Sequence, residues 1–583
     1  DQIFRYETRL HFWRGKAEIL AEHTLVTVGG PPVTVVDGIV VHLAADAVQE
    51  AILGGATGQH EVALPEAGPV RLTQECAFWQ ECLPGWPSKY VVLEADFSYT
   101  LEAENRRIAQ GERAPGWLWV GNQERSLGLA VRDFWEEGPK GLTVGRDGQI
   151  AVECYQHWRP KSGEERPRRE PVPDFGSDPR IHDWFATEDE ETVKRFLADT
   201  GWEGPVRRGP MRFGRTRAKT TEIRYLLGKP ERRQTEVEVL AAQRKPLVAV
   251  VDPDYLCRTR ALNLVWVSAR HSGLPILEEA LVGAFRNFEK QSIVYGFLHF
   301  GDNQCHLGYN NTVPSTFDVT EYDTIRCLLA QFCRTGIVDY FRRANQAARH
   351  YADIDQDQVL GAVRFHGYRP TGEYHEEAQA YDMGGHIYIQ GTVDHYALTG
   401  DRRSRRCFEQ VGNFLKDYAP ENCNEAVLTR DERSLTRPAI ALLAIYDLTR
   451  DPKYLESPRR MVEGFNAASG DLLSEMAGQD PFRTWWLYQG DFVNHVEELL
   501  VRYHMATDNS ATLRTLLKTV DLLLRDHWNP EGEGLQMMDN MPFAAPVSGR
   551  RPPSQEYTLD DSWVWRHGLP LAYAAHETGD NRY

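Results

Sequence analysis

Tyr396-Ala-Leu-Thr-Gly-Asp401 returns, with variations, as Tyr446-Asp-Leu-Thr-Arg-Asp451, Tyr503-His-Met-Ala-Thr-Asp508 and Tyr573-Ala-Ala-His-Glu-Thr-Gly-Asp580. In each copy a helix ends, a Gly or small polar residue turns the chain, and an Asp offers its carboxylate to the free amides of the next helix. Such pieces are αα-hairpins. Their recurrence at spacings of about 50 to 70 residues marks a stacked supersecondary unit. With the helical stretch Glu321 to Asp353 before them, they predict an α/α toroid. Antiparallel helices joined by short turns place those turns at one end, so the longer connections gather at the other. Those connections are 353–383, 419–435, 469–489 and 529–560. They form the expected working face, because loops on a rigid scaffold collect binding residues.

Upstream the pattern changes from helical to alternating. Pro31-Pro32 opens the β-branched stretch Val33 to Leu43, and Ser88 to Tyr99 alternates apolar and polar residues like a half-buried strand. Shorter runs at Leu127 to Trp135, Ile223 to Leu227 and Ser292 to Phe300 predict a mainly β region up to about residue 310. Arg159 to Pro173 reads as a solvated loop and Glu188 to Asp199 as one helix across the sheets.

Composition sets outer bounds. The 583 residues suffice for more than one core, and the 42% hydrophobic and 26% charged fractions are those of a globular protein. No run of about 18 apolar residues occurs, so no membrane span is expected. A net charge of −18 supplies no general positive field, which argues against nucleic acid as a partner. An acidic glycan would need a local basic pocket instead. The nine cysteines form no CxxC pair and no zinc-like spacing, and read as unpaired thiols. The chain begins at Asp1 without Met or an apolar signal core. A secreted or periplasmic setting is the expectation, with the cytoplasm as alternative and oligomeric state open.

The long connections carry the residues suited to chemistry. The first holds His366, Tyr368, Tyr374, His375 and Tyr381, with His386 just beyond; the second leads into Arg430, Arg433 and Arg437. The third holds Trp485, Trp486 and Gln489, and the fourth Tyr557, followed by Trp563. Aromatic faces suit pyranose rings, arginines clamp carboxylates, and His or Tyr moves protons. For any one of them, packing or helix capping is the plainer role. His375 and His386 stand eleven residues apart, which is not the spacing of a helical metal pair. No cofactor is expected on this reading, with a divalent cation such as calcium left open. Between the two halves, Tyr295-Gly-Phe-Leu-His-Phe-Gly-Asp-Asn303 reads as a strand whose end brings His299, Asp302 and Asn303 toward the cleft, with Tyr322 following. A buried turn with Asp302 as its cap is the alternative.

Several separated segments resemble the YetA-like proteins, which include exo-rhamnogalacturonan lyase of polysaccharide lyase family 26. The matching pieces are Leu127-Gly-Leu-Ala-Val-Arg-Asp-Phe-Trp135 with Pro139-Lys140, Gly214-Arg-Thr-Arg-Ala-Lys-Thr-Thr-Glu222, Phe300-Gly-Asp302, Glu321-Tyr-Asp323, Arg334-Thr-Gly336, Arg349-His350 with Asp353-Ile-Asp355, and His386 to Asp401. The resemblance implies a β-barrel-like domain over 1–100, a β-sandwich over 101–310 and the α/α toroid over 311–583. It also implies β-elimination from a uronic-acid-containing, pectin- or rhamnogalacturonan-like glycan. That reaction needs a carboxylate neutraliser, a base and an acid. Arg433 is the expected neutraliser, with Asn303 as second donor. Tyr381 and His386 are expected as base and acid, and His375 in either role. His299, Asp302, Tyr322, Arg430, Arg437, Trp485, Gln489, Tyr557 and Trp563 are expected to bind substrate. Two other readings stay open: a glycoside hydrolase using carboxylates among Glu376, Glu377, Asp382, Asp560 and Asp561, and a non-catalytic glycan-binding protein.

Overall fold

The computed structural model describes residues 2–31, 33–46, 48–56, 58–64, 68–82, 91–104, 106–156, 211–243, 247–259, 262, 267–291, 294–305, 316–317, 321–364, 381–382, 385–417, 432–467, 491–529, 534–535 and 568–583. Antiparallel sheets occupy the N-terminal part and helices dominate the C-terminal part. The chain divides into two compact units: Asp1–Thr320, Thr324–Val359 and Arg364–Ala380 form the first, and Glu321–Asp323, Leu360–Val363 and Tyr381–Tyr583 the second.

The strands of the first unit are β1 (Phe4–Phe12), β2 (Glu18–Thr27), β3 (Val33–Val36), β4 (Gly38–Ala44), β5 (Glu50–Gly55), β6 (Gly58–Ala63), β7 (Val70–Cys82), β8 (Val91–Ala103), β9 (Arg106–Gly111), β10 (Trp117–Gly121), β11 (Ser126–Val131), β12 (Lys140–Val144), β13 (Gln149–Gln156), β14 (Met211–Gly214) and β15 (Ala218–Gly228). A seven-stranded sheet runs β1-β2-β15-β11-β10-β5-β6, and a six-stranded sheet runs β4-β13-β12-β7-β8-β9. Their facing sides interleave: Leu53, Leu118, Val120, Leu129 and Ile223 of one sheet pack with Leu72, Leu101, Leu142, Ile150 and Val152 of the other. This is the alternation of inward apolar residues that two stacked sheets require. The boundary expected at residue 100 cuts through both sheets, because β5 pairs with β10, β2 with β15, β7 with β12 and β4 with β13. Ladder hydrogen bonds join residues far apart in sequence, and a local reading does not see them.

Helix α1 (Arg233–Ala242) covers the other side of the larger sheet, setting Val237 and Leu240 on Ile52, Trp119 and Leu226. A side chain at Gly128 would bring a Cβ within 2.8 Å of Leu240, so the close approach needs glycine there. Helices α2 (Pro253–Thr259) and α3 (Pro275–Gln291) also interrupt the stretch expected to be β. The expected strand Ser292 to Phe300 is, over its described part, a series of turns, with Gly296 and Gly301 at φ 114° and 105°. Of the other early expectations, Arg159 to Pro173 and Glu188 to Asp199 lie outside the described residues. Helices α4 (Thr324–Thr335) and α5 (Val338–His350), expected to open the toroid, group with the sheets. Contacts of α5 and the segment after it with the sheet include Arg349 with Glu222 of β15 at 2.9 Å and Asp353 accepting the Thr220 amide at 2.8 Å.

The second unit contains α6 (Gln390–Thr399), α7 (Arg402–Leu415), α8 (Glu432–Thr449), α9 (Glu456–Ala467), α10 (Asp491–Thr507), α11 (Ser510–His527) and α12 (Gly568–Thr578). The repeated hexapeptide is a turn with one chemistry. Thr399, Thr449, Thr507 and Thr578 each end a helix and donate their hydroxyls to the carbonyl four residues back, at 2.6, 2.8, 2.7 and 2.7 Å. The next residue is left-handed: Gly400, Arg450, Asp508 and Gly579 have φ of 69°, 56°, 56° and 68°. Asp401 then accepts the amides of Arg403 and Ser404, and Asp451 that of Lys453. In the third copy the cap is Asn509, which accepts from Ala511 and Thr512, while Asp508 supplies the left-handed position. Threonine in place of glycine shifts that copy by one residue. Ile440, Leu443, Val496, Leu499, Leu500, Leu516 and Val520 form the interior.

Candidate functional site

His366, Tyr368, Tyr374, His375, Arg430, Trp485, Trp486, Gln489, Tyr557 and Trp563 lie outside the described residues, as do Glu376, Glu377, Asp560 and Asp561. Tyr381 and Asp382 are placed in backbone as a two-residue strand, and Arg433 falls in the first turn of α8. Three of the expected residues, Tyr322, His386 and Arg437, lie in or beside one polar group of the second unit.

Arg437 is the centre of that group. It is 6% exposed, and its Nε donates to His495 Nδ1 at 3.0 Å, while Nη2 meets Glu498 at 2.8 Å. His495 and Glu498 are three apart on α10 and therefore share a helix face. Glu498 also holds Arg502, one turn further, at 2.8 Å. The Arg437 guanidinium stands 4.5 Å from the centre of the Tyr388 ring, and that ring stands 6.1 Å from Tyr322. His386, half-buried, precedes Tyr388 by two residues. Tyr322 and Asp323 are both left-handed, at φ 57° and 52°. Asp323 anchors this strained segment by accepting the Gly391 amide at 2.9 Å. Non-glycine residues held in that region concentrate where a fold serves something besides its own stability.

The arrangement changes the role expected of Arg437. Expected to bind substrate, it is buried and donates to Glu498 and His495, a usual outcome for a guanidinium taken out of water. What it supplies is tautomer control. A ring nitrogen that accepts from a guanidinium carries no proton, so His495 bears its proton on Nε2.

A second group lies in the first unit, where segments distant in sequence converge. Glu137 accepts from Lys140 at 2.7 Å and from Lys219 at 2.8 Å. Burial alone would raise its pKa, but Lys140, Lys219 and Arg349 hold it at about 2. Burial pushes Lys219 the other way, downward, against the pull of Glu137. Asp353 accepts both the amide and the hydroxyl of Thr220, at 2.8 and 3.1 Å. His350 sits 3.6 Å from Asp302 and 3.6 Å from Asp355. Burial pushes the Asp302 carboxyl up to about 7, with Asp355 adding to the shift and His350 opposing it. Burial would lower His350, yet Asp355 and Asp302 carry it upward. A small pocket is bordered by Asp133, Glu137, Lys219, Arg349, His350 and Asp353.

Asp302 and Asn303, expected to face substrate, are thus 1% and 3% exposed, while His299 is half-buried in the same turn. Gly301 explains why: at φ 105°, an added Cβ would lie 2.5 Å from the Gln346 carbonyl oxygen, so the turn packs directly onto α5. Glu137, Lys219, His350 and Asp355 were not foreseen as a group. Their signal was present in Pro139-Lys140, Gly214 to Glu222, Arg349-His350 and Asp353-Ile-Asp355, but nothing local says that these meet. Among the described residues no group of three His, Cys, Asp or Glu is placed to hold a metal ion.

No family model matches the chain. An uncharacterized protein, YetA of Bacillus subtilis (strain 168), is 24% identical over 363 residues, which is 57% of this chain and 38% of that protein. The match therefore spans well under two thirds of that relative. Among solved structures, a polysaccharide lyase overlaps with a TM-score of 0.31 at 9% identity, covering 100% of this chain and 79% of the other. A family 76 glycoside hydrolase from a bovine Bacteroides thetaiotaomicron strain overlaps with a TM-score of 0.27 at 7% identity, covering 91% and 92%. At those scores both are distant likenesses.

Proposed function

We propose that this chain is a carbohydrate-active enzyme that cleaves a uronic-acid-containing, pectin- or rhamnogalacturonan-like glycan by β-elimination, on the long-loop face of an α/α toroid formed by the helices of the second unit. The observation that carries the reading is the gathering of Tyr322, Tyr388 and His495 about the buried Arg437, with His386 two residues from Tyr388. Tyr322 and His386, the partly exposed members of this stretch, offer an aromatic face and a proton-transfer group, and binding alone has no use for the latter; Tyr388 and His495 are buried against Arg437.

Within this reading His386, partly open to solvent, moves a proton, and Tyr381 is its partner as base or acid. Arg433, one helical turn before Arg437 on α8, neutralises the uronate carboxylate so that the neighbouring C–H becomes acidic. His375 and the residues expected on the long loops, Arg430, Trp485, Gln489, Tyr557 and Trp563, complete the substrate contacts. No described helix is long and apolar enough to cross a membrane. A polymeric substrate favours a secreted or periplasmic setting.

The test is incubation with a panel of uronate-containing glycans, following ultraviolet absorbance and new reducing ends together. An unsaturated product absorbs, so both signals should rise in step. Reducing ends without absorbance would replace elimination by hydrolysis, and binding without either signal would leave a glycan-binding protein.

A further inference from the structure

The seven-stranded sheet ends on β1, and among the described residues no strand pairs with its outer side. Edge strands are normally shortened, bulged or charged so that they do not pair with another chain. The opposite edge follows that rule: β6 is six residues long and carries Gln59, His60 and Glu61. β1 keeps the charges Arg5, Glu7 and Arg9 but departs from the rule in length and regularity, being nine residues long and paired with β2 without a register shift.

Its two faces are also inverted relative to a solvated strand. Tyr6, Leu10 and Phe12 are 52%, 50% and 67% exposed. The alternate positions are polar: Arg5 pairs with Glu7 at 2.9 Å, and both Arg9 and His11 approach Glu22 at 3.3 Å. Backbone direction follows from one bond. Ile3 accepts the Val28 amide, and bonded and non-bonded positions alternate along an antiparallel pair. Odd-numbered residues of β1 therefore turn their amides toward β2, and Phe4, Tyr6, Thr8, Leu10 and Phe12 turn theirs outward.

We infer that β1 is a self-association edge: two copies of this chain pair antiparallel through β1 about a twofold axis at Thr8, joining their seven-stranded sheets into one. The sequence of β1 is complementary to itself in that register. Glu7 meets Arg9 of the second copy, and Arg9 meets its Glu7. Tyr6 meets Leu10, and Phe4 meets Phe12, so the exposed apolar face becomes continuous across the axis. All nine residues of the strand are used. Neighbouring registers fail on charge. Centring on Glu7 sets Glu7 on itself and Arg5 on Arg9, while centring on Arg9 sets Arg9 on itself, and like charges directly opposite oppose pairing. A closed, isologous pair also leaves neither copy of β1 open to further growth.

Sedimentation of the full chain over a range of concentrations tests this, reading the shift from the mass of one chain to that of two. Leu10→Lys enters the interface twice and should weaken self-association on the order of tenfold or more. Thr8→Pro removes an outward amide at a position where an edge strand accepts proline, and should do the same. Circular dichroism and melting of both variants show that the sheets persist. Register is read by oxidation of Thr8→Cys: residues bonded across such an axis have Cα atoms about 5.5 Å apart, within disulfide reach, so this variant should cross-link to a covalent dimer. Cys327 is exposed, so wild type oxidised in parallel sets the background. The inference is overturned if wild type stays monomeric at every concentration, if its dimer survives both Leu10→Lys and Thr8→Pro, or if Thr8→Cys cross-links no better than Glu7→Cys.

Discussion

The two units bury charge in opposite ways. In the first, Glu137, Lys140, Lys219, Asp302, Arg349, His350, Asp353 and Asp355 form a dense network in which most carboxylates answer more than one partner. In the second, among the described residues, one guanidinium meets the Glu498 carboxylate, an imidazole and an aromatic face. The difference follows from the scaffolds. β15 presents Lys219, Thr220 and Glu222 to a helix end and a turn at once, so many charges meet and their protonation is coupled. Helices α8 and α10 offer only the side chains on their facing stripes, and the result is a local clamp. A network of the first kind should answer to pH and to the loss of any one member; a clamp of the second kind should answer mainly in the group it orients.

The largest effect is expected at Glu137. Glu137→Gln leaves Lys140 and Lys219 buried without their shared carboxylate, and breaking such a pair costs about 3–5 kcal/mol. Chemical denaturation followed by a probe in the sheets should find a loss of that size. A loss below about 1 kcal/mol would mean that water already reaches the network.

Next comes the pH response of the first unit. Asp302 is raised to about 7 from 3.8, so the folded chain holds its proton more tightly than the unfolded chain does. Its contribution to stability is whole below the lower value and is lost as pH rises through the upper one. His350, also raised, runs in the same direction. Glu137, lowered from 4.5 to about 2, runs the other way, losing its contribution only as pH falls through that lower value. Denaturation midpoints across this window should therefore fall from weakly acid to neutral pH, and Asp302→Asn should flatten the fall. An unchanged slope in Asp302→Asn would remove Asp302 as its cause.

The clamp of the second unit should read out in turnover. Arg437→Lys keeps a charge for Glu498 but loses the fork that also meets His495, and should lower kcat about tenfold, the size of one charged hydrogen bond. Nitrogen NMR of the His495 ring provides the independent sign: the wild-type ring should carry its proton on Nε2, and the variant should show a mixture. A wild-type ring protonated on Nδ1 would reverse the assignment.

The smallest effect distinguishes the caps. Asn509→Ala should cost about 1 kcal/mol as a lost helix cap, whereas Asp508→Gly should cost nothing or stabilise by a few tenths, since glycine accepts the left-handed turn. The reverse order, measured by thermal melting, would restore Asp508 as the cap.

The helical half was legible because its signals are local. Tyr396 to Asp401 and its relatives contain the helix end, the left-handed turn and the next cap within a few residues, and only the third copy, with threonine at the glycine position, misleads, by one position. The strand expected from Ser88 to Tyr99 was legible for the same reason, as alternation within one segment, and over its described part it lies in β8 (Val91–Ala103). Tyr295 to Asn303 was misread as a strand: its apolar residues are those of a turn pressed against α5, and the glycines that permit the turn fit either reading when seen alone.

What the sequence determined by itself, then, is whatever depends on neighbours within about one helical turn or one strand: the αα-hairpin repeats, their caps, and the change from β to α along the chain. Only the tertiary structure decided that strands on both sides of residue 100 share two sheets, that Arg437 faces His495 rather than solvent, and that Glu137, Lys219, Asp302 and His350 meet. Those contacts join residues tens to hundreds apart. Their energies come from ladder hydrogen bonds and from charges sharing one low-dielectric space, neither of which exists until the chain has closed around them.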